Sequence, residues 1–439
     1  MQKNDPKIIN AWCLYDWANS VYSLTITTAV FPIYFSAVAP KEIHFLGFTK
    51  ANSVVYTYSL SLAFLAVCFL SPFLSGIADY SDRKKSFMQF FAGLGSLACS
   101  LLFFFDSTNV SFGIICFMLA SIGYAGSLVF YNAYLPEIAT PDQFDRISAR
   151  GFSMGYIGSV TLLILNLLVI QKPTWFGLGE EPGSLPARLA FLSVGIWWIG
   201  FSLYTFAYLP ARTHTHKTTG DSNYLFKGFE ELRKVFGEIR GMPHLTRFLL
   251  GFFFYSMGFQ TIMYLASIFG SQELHLADGE LIAIVLIIQL IAVLGAWLFT
   301  KLSARIGSIR TLYIGVILCI VICLGAYFTT TATQFYILAV LVGLIMGGMQ
   351  SMSRATYAKL LPETEDHASY FSFYEFTEKT GIVLGTATFG LITDLSRHVT
   401  ANGEPNMRYS IFALIGYFLL GLLFLTQLLK KDRPVAAGV

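Results

Sequence analysis

The sequence predicts an all-α membrane protein of twelve transmembrane helices in two pseudo-symmetric six-helix bundles. Three observations carry this reading. Of 439 residues, 55% are hydrophobic and only 13% charged, against roughly 25% charged in soluble domains. About twenty apolar residues cross a bilayer, and runs of that kind recur twelve times, at about 16–39, 52–77, 86–105, 110–134, 149–170, 188–209, 247–270, 279–301, 311–330, 335–358, 369–393 and 408–428. A polar gap at 210–246 divides these runs six and six. It separates an N-terminal bundle over 1–209 from a C-terminal bundle over 247–439.

Lys and Arg set the orientation, because they accumulate in cytoplasmic loops. With the N-terminus inside, the inner segments hold twenty-two of them and the outer segments six, while Lys379 falls within a span. Both termini are therefore expected in the cytoplasm. The first run is long enough to span and would serve as its own anchor, so no cleavable leader is expected. The net charge of +3 is scattered between apolar runs and gives no nucleic-acid footprint. Cys68, Cys99, Cys116, Cys319 and Cys323 lie inside apolar runs and Cys13 at the entry to the first. That is the placement of packing residues, and neither a disulfide nor a metal site is expected. No P-loop, nucleophile elbow or His-Glu-x-x-His is present. The chain is read as neither ATP-driven nor an enzyme, and no cofactor is implied.

The first span begins with a polar stripe. Asp16, Asn19, Ser20, Ser23 and Thr27 recur at i, i+3, i+4, i+7 and i+11, one helix face. Asp16 itself stands where an Asp favours a helix N-cap; gating or binding of a coupling ion is the competing role. The second span ends in Ser75-Gly76-Ile77-Ala78-Asp79-Tyr80-Ser81-Asp82-Arg83-Lys84-Lys85, where a cationic cluster directly after an apolar run marks a cytoplasmic loop. The fourth span carries Tyr124, Tyr131 and Tyr134, an aromatic face with hydroxyls. Within the central gap Leu225, Phe229, Leu232, Phe236 and Ile239 recur at helical spacing among charged residues, which predicts an amphipathic helix on the inner leaflet or under the bundle. The seventh span repeats the polar stripe with Ser256, Gln260, Met263 and Ser267, and the tenth with Gly347, Gln350, Arg354 and Tyr357. Polar stripes in apolar helices face either a cavity or a partner helix.

The halves also repeat. Leu135-Pro136-Glu137 follows the fourth span and Leu361-Pro362-Glu363 the tenth. That offset aligns Tyr131 with Tyr357, Tyr124 with Gln350 and Gly155 with Gly381. After the eighth span, Ala304-Arg305-Ile306-Gly307 is a degraded copy of the opening loop, with Ala304 at the position of Asp79.

The eleventh span holds the most costly residues. Glu375, Glu378 and Lys379 lie 6, 9 and 10 residues past its inner end, roughly 9 to 15 Å deep. Glu375 and Lys379 are i and i+4 in the favourable order, and Arg354 on the tenth span lies at similar depth to meet Glu375 or Glu378. The set is either a structural ion network or a site where one Glu exchanges its partner for solute or proton.

The loop around Asp79 resembles the loop between helices 2 and 3 of the major facilitator superfamily, with Asp79 at the conserved-type Asp and Arg83 and Lys84 at the trailing cations. Leu14-Tyr15-Asp16-Trp17-Ala18-Asn19-Ser20 with Phe31-Pro32-Ile33-Tyr34-Phe35, and the run from Gly348 to Pro362, are similar to the autophagy-linked vacuolar effluxer branch of that superfamily. The resemblance implies binding at the midplane between halves, with helices 1, 4, 7 and 10 lining the cavity. It also implies a gate in which Asp79 meets the start of helix 11 while the nearby Arg joins a charge relay with it. Fungal members of the branch release amino acids from the vacuole. The expected function is thus a monomeric secondary transporter in a bacterial inner membrane, exporting amino acids by alternating access with proton coupling. The candidate solute-binding residues are Asn19, Ser23, Tyr124, Tyr131, Gln260, Gln350 and Arg354. The coupling or charge network is Asp16, Glu375, Glu378 and Lys379, and the gate is Asp79, Arg83 and Lys84. A sugar or other neutral solute, recognised by Gln260, Gln350 and the tyrosines, and a non-transporting receptor of the same fold are the alternatives.

Overall fold

The structure is a computed structural model and describes residues 3–45, 48–179, 184–211, 224–400 and 405–431. Thirteen long helices form among them: α1 Pro6–Val38, α2 Asn52–Tyr80, α3 Lys84–Leu101, α4 Val110–Ala133, α5 Phe144–Gln171, α6 Leu185–Tyr208, α7 Tyr224–Gly241, α8 Pro243–Leu274, α9 Asp278–Ile306, α10 Ser308–Phe328, α11 Ala332–Leu360, α12 His367–Leu395 and α13 Ile411–Lys431. Eleven described helices are long and apolar enough to cross a membrane by length and composition alone. The twelfth, α12, has 29 residues, enough to span at 1.5 Å per residue. It falls short only in apolarity, because Glu375, Glu378 and Lys379 interrupt it.

Helix α1 departs from expectation twice. It begins at Pro6, with the Asp5 side chain accepting from the Lys7 amide and proline in the first turn, a favourable start. Asp16 is therefore well inside the helix, and its expected capping role is corrected to that of a buried interior carboxylate. Second, Tyr22–Val30 winds as a π-helix. Pro32 follows at once and cannot donate to the carbonyl four residues back, so the chain changes winding just upstream of a lost hydrogen bond. The rearrangement leaves acceptors open to side chains: Thr28 donates to the Ser23 carbonyl at 2.9 Å, and Tyr56 donates to the Thr27 carbonyl at 2.7 Å. One of these bonds is local and the other comes from α2, and π-bulges are frequent at functional sites.

An antiparallel hairpin, β1 Glu42–Phe45 and β2 Phe48–Ala51, pairs Glu42 with Ala51 and Ile43 with Lys50. It is an addition to the all-helical expectation. In α7, Val235 and Ile239 are buried one turn apart, whereas Phe229 and Phe236 are exposed, with Arg240 over the Phe236 ring at 5.9 Å. The apolar stripe is thus covered by protein at Val235 and Ile239 and open at Phe229 and Phe236. Linker residues 212–223 and the Leu225 side chain lie outside the described residues.

By packing, the chain forms two compact units. Unit 1 comprises Met1–Ala139, Met154–Leu232 and Glu365–Glu375, and unit 2 comprises Thr140–Ser153, Arg233–Thr364 and Phe376–Val439. The first turns of α5 therefore belong to unit 2 and the first turns of α12 to unit 1. Within each unit, close helix contacts rest on small residues, as membrane helices require. A methyl group at Gly123 would meet the Gly95 backbone in unit 1, and one at Gly347 would meet the Ala292 carbonyl in unit 2.

Candidate functional site

The polar residues of unit 1 form three groups. On α1, Asp16 is 4% exposed and accepts from the Tyr131 hydroxyl of α4 at 2.7 Å. Tyr131 stacks on Trp12 with centroids 4.6 Å apart, and the Trp12 indole donates to the Tyr131 carbonyl at 2.9 Å. Tyr131 is thereby fully buried, a clamp between α1 and α4. Tyr124 is half-buried, tilted against Tyr22 at 5.0 Å. One turn beyond Asp16, Asn19 is 1% exposed. Its carbonyl oxygen meets the Ser20 hydroxyl at 3.4 Å, while its Nδ2 has no hydrogen-bond partner among the described residues. Ser23 donates to the Ser20 carbonyl at 3.0 Å. A buried amide nitrogen without a protein acceptor is a costly feature unless a ligand or water completes it.

The second group is Glu375, in the first turns of α12 and 2% exposed; its Oε1 accepts from Asn132 of α4 at 2.7 Å. The third is the loop after α2. Asp79 accepts from the backbone amides of Ala368 at 3.2 Å and Ser369 at 2.6 Å. These are first-turn donors of α12, which lack intrahelical partners and favour an anion. Lys84 is buried, ion-paired with Glu137 and 5.2 Å from the Tyr134 ring. Arg83 is exposed at the N-cap position of α3. Lys84 is thus the inward-turned cation of this loop, paired with Glu137, while Arg83 just before α3 is open to solvent.

Unit 2 holds the remaining candidates. Gln260 on α8 donates to Glu378 Oε1 at 2.8 Å, and Lys379 pairs with Glu378 Oε2 at 2.6 Å. The side chains of Lys379 and Glu378 are 7% and 16% exposed. Three polar groups thus meet inside apolar helices. On α11, Arg354 is 2% exposed; its Nε donates to the Ser148 hydroxyl and its Nη2 to the Ser148 carbonyl, both at 2.9 Å. Its guanidinium lies 4.1 Å from the Phe152 ring centre. Arg354 thereby binds the first turns of α5 to α11. Gln350, one turn earlier, is half-buried. Tyr255 and Ser353 share a hydrogen bond of 2.8 Å.

The internal repeat is visible in the packing. A methyl at Gly155 would meet Ser20 and the Asp16 carbonyl, and one at Gly381 would meet Met257 and the Phe253 carbonyl. Asp16 and Ser20 in α1 thus correspond to Phe253 and Met257 in α8. Asn19 then corresponds to Ser256, and Ser23 to Gln260. Ser256 is 2% exposed, and its hydroxyl likewise has no hydrogen-bond partner among the described residues. Equivalent positions in the two units therefore carry buried polar atoms left open by the protein.

Sequence reasoning missed Asn132, Ser148 and the role of Glu137. It also missed a cluster on Asp145 in the first turn of α5. Asp145 accepts from Ser303 at 2.5 Å and Ser308 at 3.0 Å and pairs with Lys359 at 2.7 Å. Glu137 lay within the repeated Leu-Pro-Glu motif, and Asn132 was a lone amide in an apolar helix. Both signals were in the sequence without their partners.

Comparison with known proteins agrees with this architecture. A family model described as vacuole effluxer Atg22 like matches residues 4–433. The uncharacterized MFS-type transporter YxiO of Bacillus subtilis (strain 168) is 31% identical over 97% of this chain and 95% of its own length. Autophagy-related protein 22 of Yarrowia lipolytica is 25% identical over 88% of this chain and 77% of its own. Among solved structures, the major facilitator superfamily transporter FucP superposes with a TM-score of 0.70 at 13% identity, covering 97% of this chain and 99% of that one. The human organic anion transporter MFSD10 superposes with a TM-score of 0.65 at 13% identity, covering 97% and 100%.

Proposed function

Because the chain belongs to the Atg22-like vacuole effluxer family of the major facilitator superfamily, it is a multi-pass secondary transporter rather than an enzyme, and we propose that it exports amino acids by alternating access with a proton as coupling ion. The observation that carries this reading is the buried Glu378–Lys379 pair braced by Gln260. Breaking a buried ion pair leaves an uncompensated charge and costs about 3–5 kcal/mol. A zwitterion avoids that cost, since its ammonium takes Glu378 as its carboxylate takes Lys379, and each charge keeps a partner throughout. A neutral solute has no such exchange to offer. Protonation of Glu378 releases Lys379 in the same way, which makes this carboxylate the proposed proton site.

In this reading solute contacts are sought in each unit by itself: the open polar atom of Asn19 with Ser23 and Tyr124 in unit 1, and that of Ser256 with Gln350 in unit 2. Tyr131 positions Asp16, and Arg354 braces α5. Asp79 and Lys84 form the cytoplasmic gate. The twenty-two to six distribution of Lys and Arg supports cytoplasmic termini in a cell membrane.

The test is counterflow in proteoliposomes loaded with single unlabelled amino acids. Wild-type protein is expected to exchange a few amino acids saturably. Glu378→Gln is expected to lose more than about tenfold in initial rate, since it strands Lys379. The double variant Glu378→Gln with Lys379→Met leaves no unpaired charge, so it should fold and still not transport. Full exchange by that folded double variant would make the pair structural. Absence of exchange of every amino acid by folded wild-type protein would sink the proposed solute.

A further inference from the structure

The interior of unit 2 contains a cavity among α8 to α13. Its walls are apolar, with Phe269, Ile288, Ile322, Phe335, Phe389 and Leu414 among them. Its volume is about 70 Å³, several times the ~10–15 Å³ that one water needs. Water has nothing to hold there. The hydroxyl of Thr261, in the wall, is spent on the Met257 carbonyl at 2.6 Å, and the Cys323 thiol is a weak donor. A buried water takes about two to four polar partners, so an apolar cavity of this kind stays dry. Left empty, its walls forfeit van der Waals contacts. The space is also long and narrow. On α8 the lining runs from Thr261 to Phe269 and on α11 from Phe335 to Val342, roughly 10–12 Å at 1.5 Å per residue. A small volume drawn out over that length fits one hydrocarbon chain better than a compact molecule.

The cavity is distinct from the charged pair. Ile262, Leu265, Ala266 and Phe269 line it, and they stand roughly 140° to 240° around α8 from Gln260, which holds Glu378 on the opposite face. One end of the cavity carries a polar rim. Arg408 lies 5.8 Å from the ring of Phe269 and pairs with Glu273 at 3.3 Å. It also donates to the Tyr327 carbonyl at 2.7 Å, next to Ala326 in the cavity wall. The Met407 amide donates to Glu273 at 2.7 Å. These bonds fasten the ends of α8 and α10 to the start of α13 and hold the cavity open between them. With both termini cytoplasmic this is the outer end, at the depth of the lipid headgroups. The side chains of Arg408 and Glu273 are 19% and 13% exposed, and a rim of one cation and one anion suits a headgroup that carries both charges.

We propose that this cavity takes one acyl chain of a zwitterionic phospholipid of the outer leaflet, with the headgroup at Arg408 and Glu273. The inference does not depend on the solute; only the choice of leaflet rests on the orientation above. Its consequence is that a lipid completes the core of unit 2.

The test uses full-length protein in liposomes that contain a phosphatidylethanolamine with a photoreactive diazirine in one acyl chain, and labelled residues are read by peptide mass spectrometry. Ile337 and Leu419 are exposed and are labelled from the surrounding bilayer in any case. The proposal requires labelling also at Ile288 and Phe335, which line the cavity and are 5% and 7% exposed. Ala339→Phe and Ala326→Leu each fill part of the cavity. Each should abolish labelling at Ile288 and Phe335 and leave Ile337 and Leu419 labelled as before, with a wild-type melting temperature as the check on folding. Either variant suffices where the other fails to fold, and the wild-type pattern is decisive by itself. Labelling of Ile288 and Phe335 by free adamantyl diazirine but not by the lipid would make this a site for small apolar molecules and overturn the assignment to a phospholipid. Wild-type labelling confined to Ile337 and Leu419, or undiminished labelling of Ile288 and Phe335 in the folded variants, would overturn the proposal.

Discussion

The starts of α12 and α5 are fastened by carboxylates that sit on opposite partners. In unit 1 the carboxylate lies at the end of α2: Asp79 accepts the first amides of α12. In unit 2 it lies on the fastened helix itself: Asp145, in the first turn of α5, accepts from Ser303 and Ser308 on either side of the α9–α10 turn and pairs with Lys359. Both arrangements place negative charge at a helix N-terminus, where the dipole favours it. The difference is in what supplies the donors, backbone amides in one case and hydroxyls with an ammonium in the other. The turn around Ala304 thus meets its carboxylate on the partner helix rather than carrying one itself.

This asymmetry orders the expected effects on counterflow. Asp79 takes two bonds from groups that have no alternative partner within the helix. At about 1.5–3 kcal/mol for a hydrogen bond to a charged group, Asp79→Asn is expected to lower the initial rate about tenfold. Asp145→Asn keeps an oxygen for the serine hydroxyls and loses chiefly the ion pair with Lys359, whose side chain is 28% exposed. Exposure reduces the worth of such a pair to about 1 kcal/mol, which corresponds to about a fivefold loss. Equal losses in the two variants would break the asymmetry and show that the second fastening is as strong as the first.

The fold was legible because membrane length and charge placement are one-dimensional signals. Twelve apolar runs and the polar gap need no knowledge of contacts, and even α12 was found despite Glu375, Glu378 and Lys379. What escaped was fixed by contacts instead. The π-winding of Tyr22–Val30 depends on Pro32 and on hydroxyls such as that of Tyr56, and the start of α1 on a cap at Asp5 placed before the apolar run. The site was legible as a set of unusual residues but not as pairs. Glu378 was visible as an intramembrane carboxylate, whereas its choice of Gln260 and Lys379 is a matter of helix rotation. Arg354 stood out as an intramembrane cation, whereas its bonds to Ser148 and its place over the Phe152 ring depend on how α5 packs on α11. Asp145 had no intramembrane position to mark it, so nothing in the sequence separated it from an ordinary loop charge.

The smallest expected effect tests the comparison most directly. Ala304 is exposed, next to Ser303, at the place in the repeat held by Asp79 in the other half. Ala304→Asp alone brings a second carboxylate toward Asp145, and at the surface such like-charge contacts cost little, so the rate should change less than about twofold. In the Asp145→Asn background the same substitution restores the charge to the turn, within reach of the amides that start α5. Recovery of about half the Asp145→Asn loss is expected, and a double-mutant cycle isolates that coupling from the separate effects of the two changes. Strictly additive effects would show that the charge cannot be moved back. The polarity of the second fastening would then be set by Ser303, Ser308 and Lys359, which are built to donate, rather than by which helix happens to carry the acid.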